Sequence, residues 1–297
     1  MTAMAAPASA HRVLDTVSTV ADLRARVDAW RAEGLKVALV PTMGALHEGH
    51  LSLVRRAKML ADRVVVSIFV NPTQFGPNED FSRYPRQLEQ DRFKLGMAGT
   101  HLVYAPTVDE MYPQGFATKV VVSGVSSGLC GDARPGHFEG VATVVTKLLN
   151  QGRPDVAVFG EKDWQQLQVI RRLARDLDLP VRIEGAAVVR EMDGLAMSSR
   201  NAYLSDAERA IANYLYKTLK RIADDIDAGK DVGHACAWGI SELGRLGFGP
   251  VDYLEVRDAE TLEPVDAVTR PARVLCAVFL GKTRLIDNVA AGVKGGE

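Results

Sequence analysis

Two histidines, His47 and His50, are the strongest candidates for chemistry in this 297-residue sequence. They lie in the segment PTMGALHEGH, positions 41–50, between a predicted strand and a predicted helix. Residues three apart on a helical turn face the same way, and the N–H groups of a helix N-terminus attract anions. Two imidazoles there could bind phosphate oxygens and stabilise charge during phosphoryl or nucleotidyl transfer.

Structural roles for the same segment stay open at this point. The two histidines could be ordinary loop residues or part of a metal site, but the zinc-protease spacing His-Glu-x-x-His is absent. Gly44 and Gly49 have the spacing of a Walker A loop, but the Lys-Ser/Thr pair is replaced by His50 and Leu51. The segment is therefore not a P-loop.

Four further polar segments follow predicted strands or precede predicted helices. They are FVNPTQF at 69–75, RPGH at 134–137, FGEKDWQQ at 159–166 and MSSRN at 197–201. Each is weak alone, because such residues also form ordinary turns and solvated loops. In an open α/β sheet, however, ligands bind outside the carboxyl ends of the strands. We therefore expect these segments to meet at one crevice.

The segment GVSSG, positions 124–128, fits the hydrolase pattern Gly-x-Ser-x-Gly around Ser126. A nucleophile elbow of that kind must be followed directly by a helix. Here the residues from Leu129 to Pro135 are predicted to continue as a loop. We therefore do not expect a serine hydrolase.

The first half of the chain alternates apolar strands with helices, which predicts a parallel sheet covered on both faces. We expect a Rossmann-like, doubly wound α/β domain over residues 1–187, with a (β/α)₈ barrel as the weaker alternative. A smaller α+β domain is predicted over 188–297. It would open with a hairpin between Ala186–Arg190 and Leu195–Met197, since Asp193-Gly194 is a turn signal. A further strand is expected at Thr118–Ser123, and one helix over Asp206–Ala228.

The composition is that of an ordinary globular protein. The 36 Lys and Arg residues against 37 Asp and Glu residues give a net charge of −1, which argues against a nucleic-acid partner. Three widely spaced cysteines suggest a reducing compartment. Residues 1–12 lack the features of a signal peptide, and no apolar run is long enough to span a bilayer. A cytoplasmic protein without a membrane partner is expected.

The strings PTMGALHEGH, FVNPTQF, RPGHFEGV, FGEKDWQQL and MSSRN together resemble the pantothenate synthetase family. The His-x-x-His loop and the downstream Met-Ser-Ser-Arg loop resemble the HIGH and KMSKS pair of the wider nucleotidylyltransferase superfamily. Five long motifs in the same order over positions 41–201 make this resemblance very specific. Trp164 stands where many members carry Tyr, a difference expected to change only packing.

The resemblance implies a role for each matching position. His50, with His47, would act at the reacting phosphate, and His50 matches the proton donor of the family. Pantoate and β-alanine would contact Asn71, Gln74 and Gln166, and Arg134 and His137 would add positive charge at the rim. Asp91 matches an acidic position near Mg²⁺. The residues implied to contact ATP are Met43, Gly44, Ala45, Leu46, His47, Glu48, Gly49, His50, Gly160, Glu161, Lys162, Asp163, Val189, Met197, Ser198, Ser199 and Arg200.

The implied reaction joins (R)-pantoate to β-alanine with ATP as co-substrate and Mg²⁺ as cofactor. It would proceed through an enzyme-bound pantoyl adenylate, releasing pyrophosphate and then AMP. Such steps run by positioning and charge stabilisation, without a covalent enzyme nucleophile. The resemblance also implies a homodimer formed through the N-terminal domain.

Overall fold

A six-stranded parallel sheet forms the first part of the molecule. The computed structural model describes residues 14–77 and 79–292. The expectation for residues 1–12 and the last five residues of the domain predicted over 188–297 therefore lie outside the described residues. The strands lie in the order β1-β4-β3-β2-β5-β6. Their bounds are β1 Thr16–Val17, β2 Val37–Thr42, β3 Arg63–Ile68, β4 Leu102–Tyr104, β5 Val156–Gly160 and β6 Arg182–Ala186.

Helices cover both faces of this sheet, which confirms the doubly wound α/β prediction. Their bounds are α1 Val20–Ala32, α2 Glu48–Lys58, α3 Leu88–Met97, α4 Val108–Met111, α5 Cys130–Ala133, α6 His137–Gly152 and α7 Trp164–Asp176. Apolar residues of α1, α6 and α7 form one core against the sheet, and those of α2 and α3 form another. The barrel alternative is wrong, because the sheet ends at β1 and β6 instead of closing.

The second part has three helices and a three-stranded antiparallel sheet. The helices are α8 Asp206–Ala212, α9 Tyr214–Asp227 and α10 Val232–Arg245, and the strands are β7 Val251–Asp258, β8 Ala272–Leu280 and β9 Thr283–Ala291. Its core begins with Leu195, nine residues after β6 ends at Ala186. Leu262 and Leu275 belong to the first core instead, so the two parts pack together. The domain division at 187/188 stays a prediction.

Several predicted elements differ from the structure. The predicted hairpin is reduced to a single bridge between Arg190 and Ala196, because Ala186 ends a parallel strand of the main sheet. The stretch 118–123 pairs with no strand, and the N–H of Val120 is bound instead by the Thr143 hydroxyl of α6 at 3.0 Å. The long helix expected over 206–228 is divided at Asn213.

Within the described ranges, none of the helices combines the length and the apolar character required of a transmembrane segment.

Candidate active site

Three of the five predicted polar segments follow neighbouring strands of the sheet. β2 pairs with β3 on one side and with β5 on the other, all parallel. The His47–His50 segment follows β2, Asn71 and Gln74 follow β3, and Lys162 follows β5. These segments therefore meet at the carboxyl edge of the sheet, where ligands of open α/β folds bind.

The two histidines cap helix α2. His47 is the N-cap residue, and its Nδ1 accepts the Gly49 N–H at 3.1 Å. The Nδ1 of His50 in turn accepts the His47 N–H at 3.3 Å, and the ring centroids are 4.1 Å apart. A neutral imidazole that accepts at Nδ1 carries its proton on Nε2. The cap therefore selects a tautomer in which both Nε2 atoms are hydrogen-bond donors.

Both imidazoles are neutral at physiological pH. Burial, followed by the charges of Lys162 and Lys94, lowers the pKa of His47 to about 4. Burial, His47 and the same two lysines lower the pKa of His50 to about 3. The pair can therefore donate hydrogen bonds without carrying charge, while the nearby lysines supply the positive potential.

Asp91 stabilises the loop between β2 and α2 by hydrogen bonds to its backbone. Its carboxylate is fully buried and accepts the N–H groups of Ala45 at 2.9 Å and Leu46 at 2.8 Å. Lys94 donates to the Leu46 carbonyl at 2.6 Å. Gly44 has a φ of 82°, and a Cβ there would lie 3.0 Å from Asp91 Oδ2. The expectation that Asp91 lies at a magnesium site does not fit this geometry, since both of its oxygens face the loop backbone.

Gln74 and Asn71 are oriented by a chain of hydrogen bonds. Tyr112 donates to Asn71 Oδ1 at 2.8 Å, and Asn71 Nδ2 donates to Gln74 Oε1 at 3.0 Å. Gln74 Nε2 contacts the Met43 sulfur at 3.0 Å, which connects this segment to the histidine loop. Each end of the Gln74 amide therefore keeps one hydrogen-bonding position for a ligand: one N–H on Nε2 and one lone pair on Oε1.

The Met197–Arg200 segment closes on the same loop from the second part of the molecule. Ser199 Oγ donates to the Ala45 carbonyl at 3.1 Å, and the Met197 N–H donates to the Val189 carbonyl at 3.0 Å. Arg200 makes two hydrogen bonds to the Asp80 carboxylate, at 2.7 and 3.0 Å. An arginine expected to bind phosphate is therefore held by a carboxylate that the sequence analysis did not single out.

Arg134 is paired in the same way. It contacts both oxygens of Glu79, at 2.8 and 2.5 Å, and His137 Nε2 at 3.0 Å. His137 Nδ1 lies 2.9 Å from the Gln74 carbonyl, so this ring donates at Nδ1 and accepts at Nε2. Burial, with Arg134 second, lowers the pKa of His137 to about 4. Glu79 and Asp80 are adjacent in sequence, so one short segment holds two arginines.

A cavity of about 950 Å³ is lined by several of these groups. The predicted site residues that line it are Gln74, Arg134, His137, Lys162, Asp163, Ser198 and Arg200. The loop residues 43–50 are not part of the lining. Met43 contacts the lining residue Gln74, and Ala45 accepts a hydrogen bond from Ser199, which lies between the lining residues Ser198 and Arg200. Gln166 does not line the cavity, and its side chain makes no hydrogen bond in the described part of the chain.

Two residues noted in the sequence have other surroundings than expected. The Trp164 Nε1–H donates to the Ala259 carbonyl at 2.8 Å, and the Arg273 Cζ atom lies 3.7 Å from the centroid of the Trp164 ring. Trp164 therefore makes a hydrogen bond and a cation–π contact in addition to packing. Ser126 donates to the Val122 carbonyl. The loop predicted over Leu129–Pro135 is wrong, because α5 occupies Cys130–Ala133. Ser126 is separated from that helix by Ser127, Gly128 and Leu129, whereas a nucleophile elbow leads directly into its helix.

The fold and the site define an α/β protein with a polar crevice at the carboxyl edge of a parallel sheet. The sequence model of the pantoate–beta-alanine ligase family matches residues 15–290. The pantothenate synthetase of Rhodospirillum rubrum is 64% identical over 279 residues, covering 94% of this chain and 99% of that protein. That of Paramagnetospirillum magneticum is 66% identical over 273 residues, covering 92% and 96%.

Solved structures agree with this result. The pantothenate synthetase of Thermus thermophilus superimposes with a TM-score of 0.86 at 48% identity, covering 93% of this chain and 99% of that one. The pantoate–beta-alanine ligase of Francisella tularensis, complexed with beta-gamma ATP and beta-alanine, has a TM-score of 0.80 at 32% identity, covering 95% and 99%. The chain belongs to the pantoate–beta-alanine ligase family, and it is a ligase.

Proposed function

We propose that this ligase condenses (R)-pantoate with β-alanine at the expense of ATP, forming pantothenate, AMP and pyrophosphate. The observation that carries the proposal is the single cavity that gathers Gln74, Lys162, Asp163 and Arg200 from separate segments. The ATP and β-alanine bound by the Francisella tularensis relative support the same substrates here.

We propose two steps. A pantoate carboxylate oxygen attacks the α-phosphorus of ATP, and the bond from that phosphorus to the bridging oxygen breaks, releasing pyrophosphate. The amine of β-alanine then attacks the acyl carbon of the pantoyl adenylate, loses a proton, and displaces AMP. The side chains assigned here bind and orient the reactants, since neither step needs an enzyme nucleophile.

The histidines act in this scheme as neutral donors. Their Nε2–H groups would bind oxygens of the reacting phosphate, where negative charge develops, while Lys162 supplies the positive charge. The depressed pKa values of about 4 and 3 support hydrogen bonding by a neutral imidazole over proton transfer from an imidazolium. The second N–H of Gln74, which does not face Met43, would bind an acceptor oxygen of pantoate. Gln166 does not line the cavity, so its side chain would have to move toward the cavity to bind pantoate.

For Mg²⁺ we propose Asp163 as the protein ligand in place of Asp91. Among the described carboxylates that line the cavity, the other five pair with Arg or Lys at 3.4 Å or less, as in Glu79–Arg134 and Asp80–Arg200. The nearest cation to Asp163 is Lys162 Nζ, at 3.9 Å. Mg²⁺ commonly binds one or two carboxylates together with substrate phosphates, whose charge it neutralises. The site fits that pattern.

The decisive experiment is pyrophosphate release on adding ATP, Mg²⁺ and pantoate before any β-alanine. Release supports the adenylate step, and its absence would exclude it. The His50→Ala variant should lose at least about 100-fold in this rate. His50→Gln is its stability-matched partner, because a Gln at this position can still accept the cap hydrogen bond. Its amide cannot do so and also occupy the Nε2 position, so its rate should stay low.

Two alternative functions give different results in the same assay. A serine hydrolase acting through Ser126 would be inactivated by Ser126→Ala, whereas the proposed ligase would keep its rate. A nucleotide-binding module without catalysis would bind ATP and release no pyrophosphate.

We also propose a cytoplasmic homodimer, on the basis of the family resemblance. Sedimentation equilibrium checks the oligomeric state, and a mass near 32 kDa, that of one chain, would contradict it.

A further inference from the structure

The turn that carries Lys162 is held by one residue of β9, in the second part of the molecule. Asn288 Nδ2 donates to the carbonyl oxygens of Glu161 at 2.9 Å and Lys162 at 3.0 Å. Asn288 is 1% exposed, so water cannot replace these bonds. One amide group therefore holds two successive carbonyls of the turn.

The orientation of this amide is fixed by its other neighbour. Arg273 donates to Asn288 Oδ1 at 3.1 Å, and its guanidinium also lies 3.3 Å from the Glu161 carboxylate. Rotating the amide by 180° would place its NH₂ group against the guanidinium and its oxygen against two carbonyls. The donating geometry toward the turn is thus the only one in which all partners are satisfied.

The turn has no comparable support of its own. Residues Glu161–Asp163 form a single 3₁₀ turn after β5, and its N-cap residue Gly160 has no side chain with which to cap it. The Lys162 side chain starts from the residue whose carbonyl Asn288 binds. A displacement of that carbonyl by loss of Asn288 would therefore move the Lys162 ammonium relative to both histidines.

We propose that Asn288 is a positioning residue that sets the place of Lys162 in the adenylation step. The inference rests on the proposed role of Lys162 at the phosphates and extends it to a residue on the C-terminal sheet. Asn288 does not itself line the cavity, so it acts through Lys162 and does not touch substrate.

The test is a double-mutant cycle measured by pyrophosphate release. Asn288→Ala and Asn288→Asp should each lower the rate by about 10- to 100-fold, because displacements near 1 Å cost that much, with the pantoate KM within about twofold. In a Lys162→Ala background the same changes should cost less than about threefold. Cys276→Ala is the control: Cys276 is buried in the adjacent strand β8, in the core of the second part, and among the described residues it makes no side-chain hydrogen bond to the turn. The rate of this variant should stay near wild type.

Each contrary outcome has a distinct meaning. If Lys162→Ala keeps the full rate, the proposed role of Lys162 fails, and the inference fails with it. Suppose instead that Lys162→Ala lowers the rate and that the Asn288 changes lower it by the same factor with or without Lys162. The proposed role of Lys162 then stands, and only the positioning role of Asn288 is wrong. If Cys276→Ala loses as much activity as Asn288→Ala, destabilisation of the sheet explains the loss. Should Asn288→Ala fail to fold, Asn288→Ser takes its place in the cycle.

Discussion

The backbone N–H of His47 is bound by the Nδ1 atom of His50, and this contact closes the cap of helix α2. The same bond that starts the helix also assigns the proton of His50 to its outer nitrogen. The His50 side chain therefore caps helix α2 and also serves in the proposed chemistry. A change at the cap should affect catalysis even where it spares stability.

Gly49 offers a direct test, because it lies against the His47 ring. A Cβ at Gly49 would lie 2.9 Å from both His47 Nδ1 and Cε1, so Gly49→Ala must displace the ring. We expect pyrophosphate release to fall at least about tenfold. The matched control is Gly244→Ala in α10, where a Cβ meets nothing within 4 Å. That variant should gain up to about 1 kcal/mol of stability and keep its activity; equal activities of the two variants would contradict the argument.

The folded state should lose stability as the pH falls below about 6.5. The pKa values of His47, His50 and His137 are near 4, 3 and 4 in the folded chain, against about 6.5 when unfolded. Between these values the unfolded chain binds more protons, so each histidine should cost about 1–2 kcal/mol between pH 7.5 and pH 5. Urea unfolding at the two pH values measures this. His47→Gln/His50→Gln should reduce the difference, and an unchanged difference would show that these two rings are not its source.

Substitutions of Asp91 and Asp163 should distinguish the residue that supports the loop from the residue that binds magnesium. Asp91→Asn places an NH₂ group against a backbone N–H that the carboxylate now accepts, and should cost about 2–3 kcal/mol of stability. The Mg²⁺ concentration for half-maximal pyrophosphate release should not change. Asp163→Asn should raise that concentration about tenfold or more while stability changes little, since Asp163 is exposed. The reverse pattern would restore Asp91 as the magnesium ligand.

The sequence was sufficient for the parallel sheet and the loops that follow β2, β3 and β5, because continuous apolar strands and strand-end motifs are local signals. It was not sufficient for strand β6 at the edge of the sheet, because the exposed Arg182 and the partly buried Glu184 interrupt its apolar pattern. Partners distant in the chain were also missed. Asp80 lies 120 positions from Arg200, and Asn288 lies 127 positions from Glu161. No periodicity or spacing indicates such pairs, since only the packing of the two parts brings them together.

Asp80 should compete with ATP for Arg200. Burial alone would raise the pKa of Asp80, but the two hydrogen bonds from Arg200 hold this pKa below its usual value. Both members of the pair are therefore charged at neutral pH. Asp80→Asn weakens that pair, and we expect the ATP KM to fall by about threefold to tenfold. Asp252→Asn is the control, because it weakens another cavity pair, with Arg284, and should leave the ATP KM unchanged. A higher ATP KM in Asp80→Asn would indicate that Asp80 itself helps to bind the nucleotide.

Trp164 connects the two parts of the molecule, so replacing it by the tyrosine common in the family should lower stability more than activity. Tyrosine cannot reproduce the Nε1–H bond to Ala259, and its smaller ring offers less surface to Arg273. We expect Trp164→Tyr to cost about 1–2 kcal/mol in urea unfolding. Trp238→Tyr, at a residue 42% exposed, should cost less than about 0.5 kcal/mol. Because Asn288 still binds the Lys162 turn, pyrophosphate release by Trp164→Tyr at 25 °C should stay within about threefold of wild type. A larger loss would mean that the Trp164–Arg273 stack, and not Asn288 alone, sets the position of Lys162.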